Sequence, residues 1–312
     1  MATSWACKGS RGGGAAAARQ PVLLQHGVLV DGMTWLLGSP EESLPYILAD
    51  QGFDVWIANN RGTRWSSRHV SLDPKSRSYW NWSWDDIVVN DMPAIVDYVC
   101  SHTGQKPHYV GHSMGTLVAL AAFSEGRMVD KLKSAALLSP VAYLSHITTP
   151  IGVVLAKAFA GELISDLLGI AEFNPASPQV SNLVRTFCRK PGMNCYDLLT
   201  SFTAVRDGVL TKYDYVMPDA NVARYGQADP PAYDMGAIPA WFPLFLSYGG
   251  RDSLSDPADV ALLLDDLRRR GHAGDRLTVQ YLPQLAHADF VIGVCAKDLV
   301  YNDVISFFRR FH

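Results

Sequence analysis

From Pro21 onward, short apolar runs alternate with stretches whose apolar positions recur at helical spacing. Runs at residues 21–25, 53–58, 108–110, 135–138, 243–248 and 277–282 read as strands. Between them the period changes. Residues 84–102 put Ile87, Val88, Ile95 and Val99 on one side of a helix. Asp256-Pro257 opens another, with proline in the first turn and Val260, Leu263, Leu264 and Leu267 behind it, and Arg268 to Gly271 close it. Residues 299–311 make a terminal helix. Strands and helices in alternation predict an α/β fold: a mostly parallel sheet of six core strands, flanked by helices on both faces.

The alternation stops between Tyr143 and Pro239, where prolines, an apolar helical stretch and two cysteines replace it. In a sheet of this kind such an insertion lies over the strand ends where ligands bind, so it predicts a cap or lid. The expected organisation is a flexible leader at 1–20, a core formed by 21–142 and 239–312, and a cap at 143–238. The leader is rich in glycine and alanine and lacks the leucine-rich segment of a secretory signal, which, taken literally, predicts a cytoplasmic protein. No uninterrupted apolar run approaches the roughly 18 residues of a membrane span, and the nearest stretch, 151–170, reads as a cap helix.

Composition narrows the partners. The 312 residues are 48% hydrophobic with a net charge of −3, enough for one large core and without the basic stripe that nucleic acid or an anionic membrane would require. Five cysteines make no disulfide framework. Cys188 and Cys195 bracket the turn-forming Arg-Lys-Pro-Gly-Met-Asn, which could bring the two sulfurs together; two unpaired thiols is the equal alternative. Asn81-Trp82-Ser83 is a glycosylation sequon in a Trp-rich setting that suggests burial.

The chemistry centres on Gly111-His112-Ser113-Met114-Gly115. Gly-x-Ser-x-Gly is informative when a strand precedes it and a helix follows, because the sharp turn then lifts the serine above the sheet. Here residues 108–110 are extended and apolar, and 116–123 continue as a helix. A serine hydroxyl needs a base, and the base an acid. Asp252 follows the strand 243–248 through Gly249-Gly250-Arg251, and His287 follows the strand 277–282, which gives the chain order nucleophile, acid, base. The rivals are weaker: Asp256 as a helix cap, Asp259 as an outward-facing residue of the first turn, Asp289 two residues past the histidine, His272 as a solvated loop residue, and His26 and His112 as packing or loop-orienting residues. Two backbone amides would hold the oxyanion, Met114 next to the nucleophile and Val28 after the first strand, where Gly27 permits a tight turn. The Val28 assignment is positional.

At Leu24-Gln25-His26-Gly27-Val28, at residues 54–62, at the serine motif, at Gly249-Gly250-Arg251-Asp252 and at His287-Ala288-Asp289-Phe290, the chain resembles the acid lipase family, which includes gastric lipase, lysosomal acid lipase and plant triacylglycerol lipases. The resemblance runs from about Pro21 to the C-terminus and is closest to the plant enzymes. It implies an α/β-hydrolase fold with a helical cap inserted after the sixth strand. It implies hydrolysis of triacylglycerols or sterol esters at a lipid–water interface, with no metal or organic cofactor. It names the same triad, Ser113, Asp252 and His287, and the same amides of Val28 and Met114. It also implies a secreted or lysosomal location and draws attention to Cys188 and Cys195, since a cap disulfide is common in that family. Two departures from the family pattern are expected: early edge strands missing, and a cap shortened around Thr203 to Val205.

The function these readings predict is a lipid-ester hydrolase working through an acyl-enzyme, with Ile151, Val153, Val154, Leu155, Phe159, Leu163, Leu167 and Leu168 as apolar surface for acyl chains or as ordinary helix packing. The alternatives are a small-ester carboxylesterase, or a non-catalytic product such as a truncated isoform or hydrolase-like binding protein.

Overall fold

The computed structural model describes residues 3–4, 19–28, 30–80, 82–146, 209–213, 215 and 218–311. Asn81, Cys188, Cys195, Thr203 to Val205 and the apolar cap positions Ile151 to Leu168 lie outside them. The sheet contains β1 (Thr3–Ser4), β2 (Pro21–Gln25), β3 (Asp54–Ile57), β4 (His108–His112), β5 (Ser134–Leu138), β6 (Leu244–Gly249) and β7 (Leu277–Leu282), in the order β1-β3-β2-β4-β5-β6-β7. Strands β2 to β7 are mutually parallel, and the two-residue β1 adds an antiparallel edge against Trp56 and Ile57. The six strands expected from the sequence are these parallel ones. The two-residue pairing falls inside the expected leader, where no apolar run announces a strand, so a short edge strand stands where the sequence reading expected the early edge strands to be missing.

Both faces of the sheet are buried across β2 to β6, which is why those strands read as continuous apolar runs, while the edge strand β7 is only partly buried. Leu23, Tyr109, Leu137 and Leu246 point to one face, under α2 (Met92–Thr103), α3 (Met114–Ser124) and α5 (Pro257–Arg269). Val22, Leu24, Val110, Leu138 and Phe245 point to the other, under α1 (Leu44–Asp50) and α6 (Asn302–Arg309). The predicted helix over 84–102 is continuous but changes winding: Ile87–Asp91 is a π-helical turn, with the Met92 N–H reaching back to the Ile87 carbonyl. Pro93, with no N–H to give, removes the next regular bond of the ladder.

The chain runs from β2 outward to β3, then returns to lay β4 on the other side of β2. The reversal opens a crevice at the carboxyl ends of β2 and β4, the place where doubly wound sheets bind ligands. The interval expected to form the cap follows β5, the fifth strand counted along this chain, and leaves from the same edge. Its two stems meet there, Tyr143 pairing with Val209 and Thr211 with Ala232.

Two polar residues are placed differently from the sequence reading. Asp259 is buried, not turned outward, because its carboxylate accepts the N–H groups of Ser145 and His146 at 3.1 Å and the His146 Nδ1 at 2.8 Å. His272 is buried rather than solvated: its N–H bonds the Leu267 carbonyl at 3.1 Å, which folds the loop back beneath α5.

The returning stem is held by another buried carboxylate. Asp85 accepts the Tyr213 N–H at 2.7 Å and the Tyr233 hydroxyl at 2.8 Å, with the hydroxyl of Tyr225, the last residue of α4 (Pro218–Tyr225), at 3.2 Å. Burial pushes its carboxyl above the ordinary range, against the pull of those three donors. Asp85→Ala strands them, and we expect it to cost about 2–4 kcal/mol of unfolding free energy in urea titrations; a loss below about 0.5 kcal/mol would show that the stem is held by other contacts.

Candidate active site

Ser113 stands between β4 and α3 with φ 56° and ψ −120°, a left-handed conformation that few non-glycine residues adopt. Neighbours without side chains permit the turn. A Cβ on Gly111 would lie 2.7 Å from the Gly115 carbonyl oxygen, and one on Gly115 would lie 2.6 Å from that of Gln25. The strain is held in place by bonds around it: the Tyr109 hydroxyl donates to the Gly115 carbonyl (2.6 Å), the Thr116 hydroxyl to the Ser113 carbonyl (2.6 Å), and the Ser113 N–H to the Leu138 carbonyl (3.2 Å).

Asp252 and His287 come from the loops after β6 and β7, which pack backbone on backbone. The Gly250 N–H donates to the Leu282 carbonyl and the Arg251 N–H to that of Leu285, each at 3.0 Å. Gly249 faces the Leu285 carbonyl and Gly250 the Pro283 backbone, with no space for a Cβ at either, so the Gly-Gly pair is what lets the loops close. The result is a contact between the His287 Nδ1 and both Asp252 oxygens, at 3.0 and 2.9 Å. Asp252 also accepts the N–H groups of Leu254 (2.9 Å) and Ser255 (2.8 Å). Burial would raise its carboxyl, but the His287 charge and hydrogen bond and the two amides outweigh it and hold Asp252 below the ordinary range. The rival carboxylates are engaged elsewhere: Asp256 caps α5 through the Ala258 N–H (2.8 Å), Asp259 holds the cap stem, and Asp289 accepts the Ala286 N–H (2.7 Å).

The His287 Nε2 is buried and has no hydrogen-bond partner among the described residues. No hydrogen bond joins Ser113 to His287, but His287 packs on His112, the residue before the serine, with ring centroids 5.0 Å apart; catalytic bonds of this kind often form only when a substrate tightens the site. Gly27 completes the corner. A Cβ on it would meet the Ser113 Cβ at 3.2 Å and Oγ at 3.6 Å, which places the loop after β2 against the serine. That loop is oriented by His26: its Nε2 accepts the Asn60 N–H (3.3 Å), so Nδ1 carries the proton and donates to the Gly27 carbonyl (2.7 Å). Burial holds this imidazole below its usual pKa, hence neutral. The Gly27 carbonyl and Val28 N–H belong to one planar peptide, so fixing the oxygen fixes the direction of the N–H. Val28, Met114, Leu117, Val141, Leu144 and Leu254 surround Ser113 in an apolar pocket. Among the described residues no group of His, Cys, Asp and Glu is arranged to hold a metal ion.

Residues 20–169 match a family model described as the alpha/beta hydrolase fold. "Triacylglycerol lipase 2" of Arabidopsis thaliana is 50% identical over 94% of this chain and 77% of its own. The chain belongs to the acid lipase family of α/β-hydrolases. As an acid lipase it is also 31% identical to the human "Gastric triacylglycerol lipase", over 96% of this chain and 82% of that one. A solved structure named "Lipase (Open form)" superposes with a TM-score of 0.56 at 16% identity, over 95% of this chain and 92% of that one, and so agrees in fold. The acid lipase fold and family are those of carboxylic ester hydrolases, and the expectation of a lipid-ester hydrolase stands. Among the described residues no helix is long and apolar enough to cross a membrane.

His112 and Ser139 are contacts that the sequence reading left without a partner. The first read only as packing or loop-orienting, and the second carried no motif at all.

Proposed function

We propose that this acid lipase hydrolyses long-chain acyl esters of lipids, triacylglycerols or sterol esters, by a serine acyl-enzyme route. The observation that carries the reading is the Asp252–His287 pair beside the strained Ser113, with an apolar pocket in front of it. The Ser113 Oγ attacks the ester carbonyl while the His287 Nε2 takes its proton. His287 then gives that proton to the leaving alcohol oxygen as the acyl–oxygen bond breaks. Water attacks the acyl-enzyme, loses a proton to His287, and Ser113 leaves with it as the acid departs. Asp252 holds the ring with the proton on Nδ1 and stabilises the imidazolium. The amides of Val28 and Met114 hold the oxyanion, each worth about 10²–10³ in rate. Of the interval 143–238, expected from the sequence to cap this crevice, residues 147–208 lie outside the described residues.

A p-nitrophenyl ester series from butyrate to palmitate tests the substrate class. We expect turnover to be maintained or to rise with chain length, and covalent labelling of the folded protein by a fluorophosphonate. A steady fall from butyrate to palmitate would make it a small-ester carboxylesterase, and absence of labelling would make it a non-catalytic relative.

A further inference from the structure

We infer that His112 and Ser139 are positioning residues for the base: they clamp the backbone carbonyl of His287 and so lock the base in register with the serine elbow. The inference rests on the reading of Ser113 and His287 as nucleophile and base. Two donors converge on that carbonyl from two different strand ends. The His112 Nε2 lies 2.9 Å from it and the Ser139 Oγ 3.5 Å. A carbonyl oxygen only accepts, so His112 carries a proton on Nε2 and Ser139 turns its hydroxyl inward.

His112 is built for a fixed neutral role. It is buried, its ring stands edge-on to Trp35 with centroids 6.4 Å apart, and a Cβ on Gly27 would lie 3.6 Å from its Nδ1. Burial, reinforced by repulsion from His287, holds the imidazole down to about 3, so it keeps a single proton through the working range. The ring therefore touches the loop after β2 on one side and the base on the other, with its centroid 5.0 Å from that of His287. Ser139 follows β5 with φ 53°, a left-handed conformation that a serine adopts only under constraint. The Ser139 N–H donates to the Ser247 carbonyl at 2.8 Å, which fixes that conformation in the sheet.

The consequence is mechanical. Asp252 fixes the rotation and tautomer of the His287 ring but not the backbone from which it swings. Because His112 is covalently joined to Ser113, its hydrogen bond to the His287 carbonyl makes nucleophile and base move as one unit. Without it the loop after β7 can drift, and a misplacement of about 1 Å can cost about 10²-fold in rate.

The experiment compares His112→Phe, which keeps a ring and removes the donor, with His112→Gln, which restores a donor, and with Ser139→Ala. Each is assayed for kcat and KM on the best p-nitrophenyl ester and for thermal midpoint. For His112→Phe we expect kcat to fall about 10–100-fold with KM within about two-fold of wild type. His112→Gln should recover most of that loss, and Ser139→Ala should lose about two- to five-fold. Wild-type kcat in His112→Phe, or equal loss in the Phe and Gln variants, would overturn the inference and leave His112 as packing. Should His112→Phe fail to fold, Ser139→Ala decides: a lower kcat with KM and melting unchanged supports the clamp, and an unchanged kcat overturns it. Wild type that neither turns over esters nor takes a fluorophosphonate would sink the parent reading as well, whereas active wild type beside an equally active His112→Phe sinks the clamp alone.

Discussion

Ser113→Ala is expected to abolish fluorophosphonate labelling and to lower ester turnover by about 10⁴-fold or more, with KM little changed. The nucleophile is the group that forms the covalent intermediate, so its loss removes the two-step route altogether. What survives is the acceleration from substrate binding and the oxyanion amides, about 10³–10⁴ over water. The substitution should not disturb the fold. The bonds that hold the elbow run through the Ser113 N–H and carbonyl, both of which alanine keeps, and alanine at φ 56° suffers the same clash as serine. A thermal midpoint within a few degrees of wild type is therefore part of the expectation. Undiminished turnover in a folded Ser113→Ala protein would place the chemistry elsewhere. Combining it with His287→Ala should add little, because nucleophile and base act as a unit.

Much of this site is legible in the sequence, because its parts sit where local rules operate. β2 lies within the limits its apolar run sets, since a strand buried on both faces leaves no alternation to confuse the reading; β7, an edge strand that is only partly buried, is bounded as well because its run of Leu277, Val279, Tyr281 and Leu282 is apolar and β-favouring all the same. Ser113, Asp252 and His287 each follow such a run through glycine or proline, and the parallel sheet carries all three to one edge. Residues whose environment is decided by distant chain are less readable. Asp259 is three residues into a helix and would face water if the cap stem did not bring two amides to it; nothing between residues 256 and 260 says that it will. His272 has only polar and small neighbours in sequence, and its burial comes from the way the loop turns back beneath α5. The same holds for His112 and Ser139: their shared acceptor is 175 and 148 residues away, a separation across which no spacing pattern operates.

Asp252→Asn is the second large effect, and it separates the acid's role from mere packing. The side chains are nearly the same size, and an asparagine oxygen can still accept the Leu254 and Ser255 N–H groups. Of the two atoms that face His287, the nearer, which does not serve the amides, then becomes an N–H donor. It can be satisfied only if the His287 Nδ1 becomes an acceptor, which moves the ring proton to Nε2 and leaves the base unable to take a proton from Ser113. We expect kcat to fall about 10³–10⁴-fold with KM and fold intact. The pH dependence of stability supplies an independent check. The folded Asp252 carboxyl is held below its ordinary value, so its contribution is fully present above the unfolded pKa of about 3.9 and is lost as pH falls through the depressed folded value. Asparagine does not titrate. The stability gap between wild type and variant, measured by urea unfolding, should therefore be widest near neutrality and narrow as pH falls below about 4. A gap that is constant with pH, or a variant with wild-type kcat, would show that the charge on Asp252 does not serve His287 and would turn attention to Asp289, the carboxylate at the start of the next turn.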